Sequence, residues 1–422
     1  MTARLALAGA VLTACVAAWA LGGDRTGRVA THLVLYGLAF VAYLFALLAA
    51  RDLSRRDLAL ALGLAFAWRA ALAAAPPLLS DDVNRSVWEG RIQVHGGNPY
   101  LWRDRPEARK WEPLRDEVWR GLNHPGYTAV YPPLWQLAAR AVVALHDSVT
   151  AMKALLVGCE ALALAALAAV LRRRGLPLSR LLIVAWSPLA RVEVAGSGHN
   201  EAFGVLWLTL SLWALEARRP LLSALAAALG VQAKFLPGLV AVAWARRYRI
   251  WHVAAATLVA AAVVLPYREA GPSLWLSLDK YASFWLFNET LFAPLALIAG
   301  SHRAAVSVAA LLVLGLAVGL AVRGADAVAA ATAVVAASLL LSPNVLPWYA
   351  LWLLPLLALR DEPAALLFTG TIGLAYLVYP DWQSGGQWRL GWGLRALEYG
   401  PCLAVLVAQR QLRGAWYAAG VR

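Results

Sequence analysis

Long apolar stretches recur along the chain and are separated by short polar segments. About 20 consecutive apolar residues suffice for a helix to cross a bilayer. Two further segments are ambiguous: 130–146 carries Arg140 near its middle, and 220–245 is interpreted as two half-helices that break between Gln232 and Pro237. The pattern predicts membrane spans at 5–22, 31–50, 58–79, 153–171, 179–195, 200–217, 250–266, 303–322, 326–342, 346–360, 363–379 and 394–411.

The composition agrees with this pattern. Of the 422 residues, 61% are hydrophobic and only 15% are charged, whereas soluble domains have about 45–50% apolar and about 25% charged residues. These values exclude a soluble globular enzyme, a disordered chain and a fibrous repeat. We expect an all-α, polytopic transmembrane bundle of about 12–14 membrane segments, forming one domain over residues 1–422. The three cysteines lie in apolar runs without metal-ligand spacing, so no metal site is predicted.

The net charge of +14 indicates the orientation of the bundle. Lys and Arg concentrate in cytoplasmic loops, and cytoplasmic termini place the arginine-rich loops 51–56, 172–180, 218–219 and 246–249 inside. This orientation requires 130–146 and 288–300 to enter the outer leaflet without crossing. Because the basic residues are dispersed over many short loops, no nucleic-acid partner is expected. The loops rich in Trp, Tyr, His, Asn and Pro then lie outside, at 80–129, 196–201, 267–302, 343–349 and 380–393.

The large outer loop, 80–129, begins with a candidate catalytic helix. Ser80 is predicted to be the N-cap, with Asp81 and Asp82 in the first turn. Asp81, Arg85 and Trp88 are spaced i, i+4, i+7 and share one helix face. A carboxylate, a guanidinium and an indole on one face suit a sugar phosphate, as base, phosphate ligand and stacking platform. An ordinary acidic helix start at the membrane surface has the same pattern, and this alternative stays open.

Farther along the same loop, residues 102–120 alternate tryptophans with charged residues. Tryptophan is favoured at membrane interfaces, so this stretch is predicted to be an amphipathic helix at the membrane surface.

Several ionisable residues lie within or beside the predicted spans. Such groups are costly in lipid and either serve a site or pair with one another. Arg191 and Glu193 stand at the outer end of one span, where a structural pair is the alternative to a site. His199 suits hydrogen-bonded packing as well as substrate contact. Lys234, at the break between two half-helices, could neutralise a lipid-linked phosphate, or its side chain could extend to the interface.

Several motifs follow one another along the chain: Asp81 to Arg91, Gly-Gly-Asn-Pro-Tyr at 96–100, Tyr-Pro-Pro at 131–133, Gly-His-Asn-Glu at 198–201, Lys-Phe-Leu-Pro at 234–237, Phe-Trp-Leu-Phe-Asn at 284–288, Ser-Pro at 342–343 and Pro-Trp-Tyr at 347–349. Taken together, these motifs resemble bacterial polytopic glycosyltransferases of the GT-C fold, specifically the family 87-like polyprenyl-phosphate-mannose-dependent mannosyltransferases. This family more often has Asp where Glu201 stands and His where Leu346 stands. Many GT-C enzymes also carry the catalytic acid after the first helix, whereas two additional spans precede it here.

The resemblance implies an inverting transfer of a hexose, mannose in the family, from a polyprenyl-phosphate donor to a lipid-linked or glycan acceptor. The enzyme would act at the extracytoplasmic face of a bacterial cytoplasmic membrane. No nucleotide-binding signature is present in the sequence. Two rivals stay open: a transporter or flippase of lipid-linked sugars, and an outward-facing ligase that uses a pyrophosphate-linked glycan.

The roles expected of individual residues follow from this chemistry. Asp81 is assigned as the general base, with Asp82 as the alternative, and Arg85, Arg191 and Lys234 as ligands of the donor phosphate. No cofactor is required, and a divalent metal is compatible with the chemistry but not demanded by it. The expected substrate contacts are Trp88, Arg91, Asn98, Tyr100, His124, Tyr131, His199, Asn200, Glu201, Trp285, Asn288, Trp348 and Tyr349.

Overall fold

The computed structural model describes residues 2–23, 26–50, 53–103 and 106–418, and these ranges contain no β-strand. One isolated parallel bridge joins Phe287 to Asn344. Helices with 3-10 geometry cover Thr26–Arg28, Pro106–Leu114, Leu178–Leu181, Ala245–Arg247, Leu265–Trp275, Pro347–Leu353 and Ile372–Leu377, and a π-helix covers Arg191–Gly196. The α-helices are α1 (Ala3–Gly22), α2 (Val29–Ala49), α3 (Arg55–Ala74), α4 (Asp82–Val94), α5 (Glu117–Arg120), α6 (Pro133–Leu145), α7 (Val149–Arg173), α8 (Leu182–Ala185), α9 (Pro188–Ala190), α10 (Glu201–Glu216), α11 (Pro220–Val231), α12 (Leu236–Ala243), α13 (Ile250–Val264), α14 (Leu276–Phe284), α15 (Phe292–Ala299), α16 (His302–Val322), α17 (Ala327–Leu340), α18 (Leu354–Leu359), α19 (Pro363–Thr371), α20 (Val378–Gln383) and α21 (Trp392–Ala418).

The helical architecture confirms the all-α polytopic bundle and fits an integral membrane protein. In the described ranges, 7 helical segments have the length and composition to cross a membrane. Most other predicted spans are shorter or interrupted helices, so the expected 12–14 segments are not all continuous spans. The seven are Ala3–Gly22, Thr26–Ala49, Arg55–Ala74, Val149–Arg173, Ile250–Phe284, His302–Val322 and Pro363–Gln383.

The predicted continuous span at 179–195 was wrong. Pro188 has no backbone N–H, so it begins a new helical turn, and the Ser187 side chain accepts a hydrogen bond from the Ala190 backbone N–H at 3.4 Å. The chain then winds into the π-helix up to Gly196. The break predicted within 220–245 is confirmed, because α11 ends at Val231 and α12 begins at Leu236.

The amphipathic interface helix predicted at 102–120 was also wrong. This stretch contains a 3-10 helix with Pro113 inside it and the four-residue α5. Trp102 and Trp111 are buried against Trp88 of α4 instead of facing a membrane surface. Burial of large aromatic side chains in this loop core removes more apolar surface from water than an exposed helix would.

The core of the bundle contains a buried ion pair between α3 and α7. Arg69 donates from Nε and Nη2 to the two carboxylate oxygens of Glu160 at 2.6 and 2.5 Å. From α7, Lys153 donates to the carbonyls of Leu72 and Ala75 at the end of α3, at 2.7 Å each. A cation at a helix C-terminus satisfies carbonyls that lack intrahelical partners. These contacts fix α3, and with it the start of the loop over 80–129.

Candidate functional site

The acidic pair lies at the start of α4. The helix begins one residue later than expected, so Asp81 occupies the N-cap position, and Ser80 Oγ accepts from the Asp82 backbone N–H at 3.2 Å. Asn123 Nδ2 donates to Asp81 Oδ1 at 2.8 Å and also to Asp82. The loop after α5 therefore holds both carboxylates side by side.

The two carboxylates differ in their surroundings. Asp81 is exposed, yet the protein around it removes part of its hydration. This desolvation, together with the neighbouring charge of Asp82, raises the pKa of Asp81 to about 6. Asp82 is only partly exposed, and its Oδ2 lies 3.6 Å from His199 Nδ1. Asp81 is thus the more accessible of the two carboxylates, and its pKa is raised.

His199 connects the acidic pair to the aromatic part of the site. It follows Gly198, whose φ of +81° suits glycine and where a Cβ would lie 2.9 Å from Val83. The imidazole stacks on Trp348 with 3.7 Å between ring centroids and 17° between planes. Burial lowers the pKa of His199 to about 3, so the ring is neutral. Its Nε2 lies 3.5 Å from Glu193.

Lys234 is the cation of the site and lies in the turn between α11 and α12. Its ammonium group pairs with Glu201 at the start of α10. It also lies 4.9 Å from the centroid of the Tyr131 ring and 5.6 Å from that of Tyr349. A cation is attracted by the electron-rich faces of aromatic rings. The Lys234 side chain retains 16% exposure, whereas Glu201 is buried.

Aromatic and amide groups complete the cluster. Tyr281 hydrogen-bonds to the Tyr349 hydroxyl and accepts from the Asn344 amide. Trp285 packs on Tyr281, and the His124 ring meets Trp285 edge-on at 4.7 Å. The structure thus brings together the predicted residues Asp81, Asp82, His124, Tyr131, His199, Glu201, Lys234, Trp285, Trp348 and Tyr349.

Asn200 adjoins this cluster, and its side-chain amide is buried with no hydrogen-bond partner in the described part of the chain. An unpartnered buried amide costs free energy unless a ligand or water supplies the partner.

Arg85 and Trp88 have other contacts. The Arg85 guanidinium donates to the carbonyls of Asn123, His124 and Tyr127 at 2.5, 2.9 and 3.1 Å. Its exposure is 7%, so the side chain fixes the loop that carries Asn123 and has little room for a phosphate. Trp88 is buried in the tryptophan cluster of the loop core, where its ring faces are covered by protein.

Arg191 and Glu193, considered as a pair, have separate partners. Arg191 is buried, donates to the Trp186 carbonyl at 2.9 Å and lies 4.6 Å over the Trp68 ring. Glu193 accepts from the Tyr376 hydroxyl at 2.9 Å. The contacts of Arg191 are thus with helical core groups and not with the acidic pair.

Four other expected substrate contacts bind protein groups. These are Arg91, paired with Asp116 and Asp147 at 2.8 Å each; Asn98, which accepts from the Tyr100 backbone N–H at 3.0 Å; Tyr100, whose hydroxyl donates to the Tyr131 carbonyl at 2.8 Å; and Asn288, which donates to Glu398 at 2.8 Å.

Sequence reasoning missed Asn123, Tyr281 and Asn344 as members of the site. The Asn123-His124-Pro125 motif was a signal for Asn123, whereas a single tyrosine in a long segment gave none for Tyr281. Within the described residues, no group of three or more His, Cys, Asp or Glu side chains is arranged to hold a metal ion.

Comparison with known proteins gives one match. Residues 2–247, more than half of the chain, match the family model described as alpha-(1->6)-mannopyranosyltransferase, N-terminal domain. No curated protein and no solved structure is significantly similar to the chain.

Proposed function

The chain belongs to the alpha-(1->6)-mannopyranosyltransferase family, and from this premise we propose that it transfers mannose from a polyprenyl-phosphate donor to a lipid-linked or glycan acceptor, with inversion at the anomeric carbon. The family makes it a mannosyltransferase. The donor class, the stereochemistry and the extracytoplasmic face of a bacterial cytoplasmic membrane belong to the proposal.

The observation that carries the proposal is the convergence of an exposed carboxylate of raised pKa and a lysine at a helix break in one cluster. A single-displacement transfer needs a base for the acceptor hydroxyl and positive charge for the departing phosphate. Asp81 supplies the first and Lys234 the second. A phosphate monoester anion is already stable, so its departure requires no general acid.

Asp81 is assigned as the base because an acceptor hydroxyl can reach it. A carboxylate with a pKa of about 6 is mostly ionised at neutral pH and is more basic than an ordinary aspartate. Asp82, bound by Asn123 and close to His199, is assigned to positioning and to raising the pKa of Asp81.

Lys234 is retained as the phosphate ligand, whereas Arg85 and Arg191 are not. When no donor is bound, the Glu201 carboxylate is the counter-ion of the Lys234 ammonium group. A donor phosphate would compete with Glu201 for this ammonium group. The cation lies between two half-helices, a common arrangement for ligand sites at membrane depth. A lipid-linked donor suits this location because its tail lies in the bilayer.

The decisive experiment assays purified protein in detergent with synthetic polyprenyl-phosphate mannose and, separately, with a pyrophosphate-linked glycan. We expect transfer from the monophosphate donor only. Asp81→Asn should lower the rate about 10²–10⁴-fold, the usual contribution of a general base. The matched control is Asp279→Asn, an exposed aspartate of another predicted outer loop, which should keep full activity. Full activity of the Asp81 variant would disprove the assignment, and transfer only from the pyrophosphate lipid would disprove the donor class.

A further inference from the structure

A polar cavity of about 230 Å³ lies at the C-terminal end of α4, at the opposite end of that helix from the acidic pair. Its wall combines the turn after α4, part of the loop core, α6 and the 3-10 helix that follows α13. The wall includes Gln93, Asn98, Trp102, Lys110, Arg140 and Glu269.

One hydrogen-bond donor in this wall is buried without an acceptor. Trp102 is 6% exposed, and its indole N–H has no partner within the described residues. Gln93, in the same wall, is fully bonded, since its amide accepts from the Tyr267 hydroxyl at 2.7 Å and donates to the Gln136 carbonyl at 3.0 Å. The Trp102 N–H is shielded from the cavity and the Gln93 amide is already bonded, so a ligand of this cavity would contact the exposed polar side chains of the wall.

The charges of the wall indicate the chemical class of that ligand. Lys110 and Arg140 are exposed cations, and Glu269 is an exposed carboxylate in the same wall. An anionic headgroup would be attracted by the two cations but repelled by Glu269. A neutral polyol can donate to the carboxylate and accept from the two cations at once. The Lys110 ammonium also lies 4.9 Å over the Trp111 ring, so an aromatic side chain borders the polar groups.

We propose that this cavity binds one sugar ring of a glycan, as a carbohydrate subsite separate from the catalytic cluster. Gln93 follows Asp82 by eleven residues on the same helix, about 16 Å at the α-helical rise. An extended acceptor glycan whose terminal hydroxyl reaches Asp81 could therefore place a distal ring in the cavity. This last step rests on the proposed function, whereas sugar binding does not.

The test compares two double variants in which one positive and one negative charge are removed. Arg140→Gln/Glu269→Gln changes the cavity. The matched control, Glu117→Gln/Arg120→Gln, changes exposed residues of the loop over 80–129 that do not line the cavity. Binding of a linear mannotetraose to the purified full chain is measured by calorimetry, and thermal unfolding confirms that each variant is folded.

We expect saturable binding by the wild type, unchanged binding by the control and about tenfold weaker binding by the cavity variant, the loss of roughly two hydrogen bonds. With an active enzyme, KM for a long acceptor should rise by a similar factor, whereas kcat and KM for a short acceptor stay unchanged. Equal binding by both double variants, or saturation only by an anionic phospholipid, would overturn the proposal. Because binding is measured without a donor, and also in the Asp81→Asn protein, its failure is distinguishable from a failure of the proposed reaction.

Discussion

Asp82→Asn should move the acid limb of the pH–rate profile to lower pH. The pKa of Asp81 is about 6, raised first by desolvation and then by the charge of Asp82. Asparagine preserves the shape of the side chain but removes that charge. Asp81 should then ionise more readily, so the base stays active in more acidic solution.

The magnitude follows from the fraction of Asp81 that is ionised. The base works in its ionised form, so activity is lost as the pH falls through the pKa. At a pH one unit below a pKa of about 6, roughly a tenth of the carboxyl is ionised, and kcat/KM should be about a tenth of its plateau. In the variant desolvation remains, so the midpoint should lie between about 6 and the ordinary aspartate value of about 3.9.

The assay measures kcat/KM for mannose transfer from the polyprenyl-phosphate donor between about pH 4.5 and about pH 8, in detergent. Asp279→Asn removes an exposed aspartate outside the cluster and should leave the midpoint unchanged. An unchanged or raised midpoint for Asp82→Asn would refute the reasoning. Abolished activity at every pH, combined with an active Asp81→Asn enzyme, would assign the base to Asp82.

Three further predictions concern the buried ion pair, the lysine of the site and the orientation in the membrane. Glu160→Gln leaves Arg69 buried without its counter-ion, so the free energy of unfolding in detergent should fall by about 3–5 kcal/mol; an unchanged unfolding midpoint would contradict the buried pair. Lys234→Met should raise KM for the lipid donor by at least about tenfold, and Lys234→Arg should restore part of the affinity because it keeps the charge; an unchanged KM in both variants would remove Lys234 from the donor site. Single cysteines at Glu117 and Arg173 test the orientation with a membrane-impermeant maleimide in intact cells, where only the first should react; labelling of Arg173→Cys instead would reverse the topology.

The helical bundle could be predicted from the sequence because apolar runs of span length are a local property. The break near Gln232 was equally local, since it coincides with a polar interruption before a proline. The interruption of the helix within 179–195 could not be predicted in this way, because an apolar run containing Pro188 has the sequence pattern of a continuous span. Where such a segment breaks depends on the partners that receive its freed backbone groups.

Candidate site residues could be predicted where they stand in a recognisable motif. Their contacts could not be predicted where these come from a distant segment of the chain. Asp81 and His199 could be proposed as candidates because carboxylates at a helix start and a Gly-His-Asn-Glu turn are recognisable in the sequence. The contacts of Arg85 could not be predicted, because helical spacing cannot show that three carbonyls some forty residues away accept its hydrogen bonds. The burial of Trp88 could not be predicted for the same reason, since its neighbour Trp102 comes from another part of the loop.

The contacts that α7 makes with α3 have a consequence for how the chain enters the bilayer. An arginine at the centre of a span costs about 2.5–3.5 kcal/mol on insertion scales. Arg69 lies in the C-terminal half of α3, and its counter-ion is 91 residues downstream. The carbonyls at the end of α3 likewise lack a hydrogen-bond donor until Lys153 has been synthesised. During synthesis the third hydrophobic segment therefore leaves the insertion machinery before its stabilising partner exists. We expect this segment to reach its final position in the bilayer only after α7 has been synthesised. Fragments that stop before residue 149 should therefore be degraded as incompletely inserted chains.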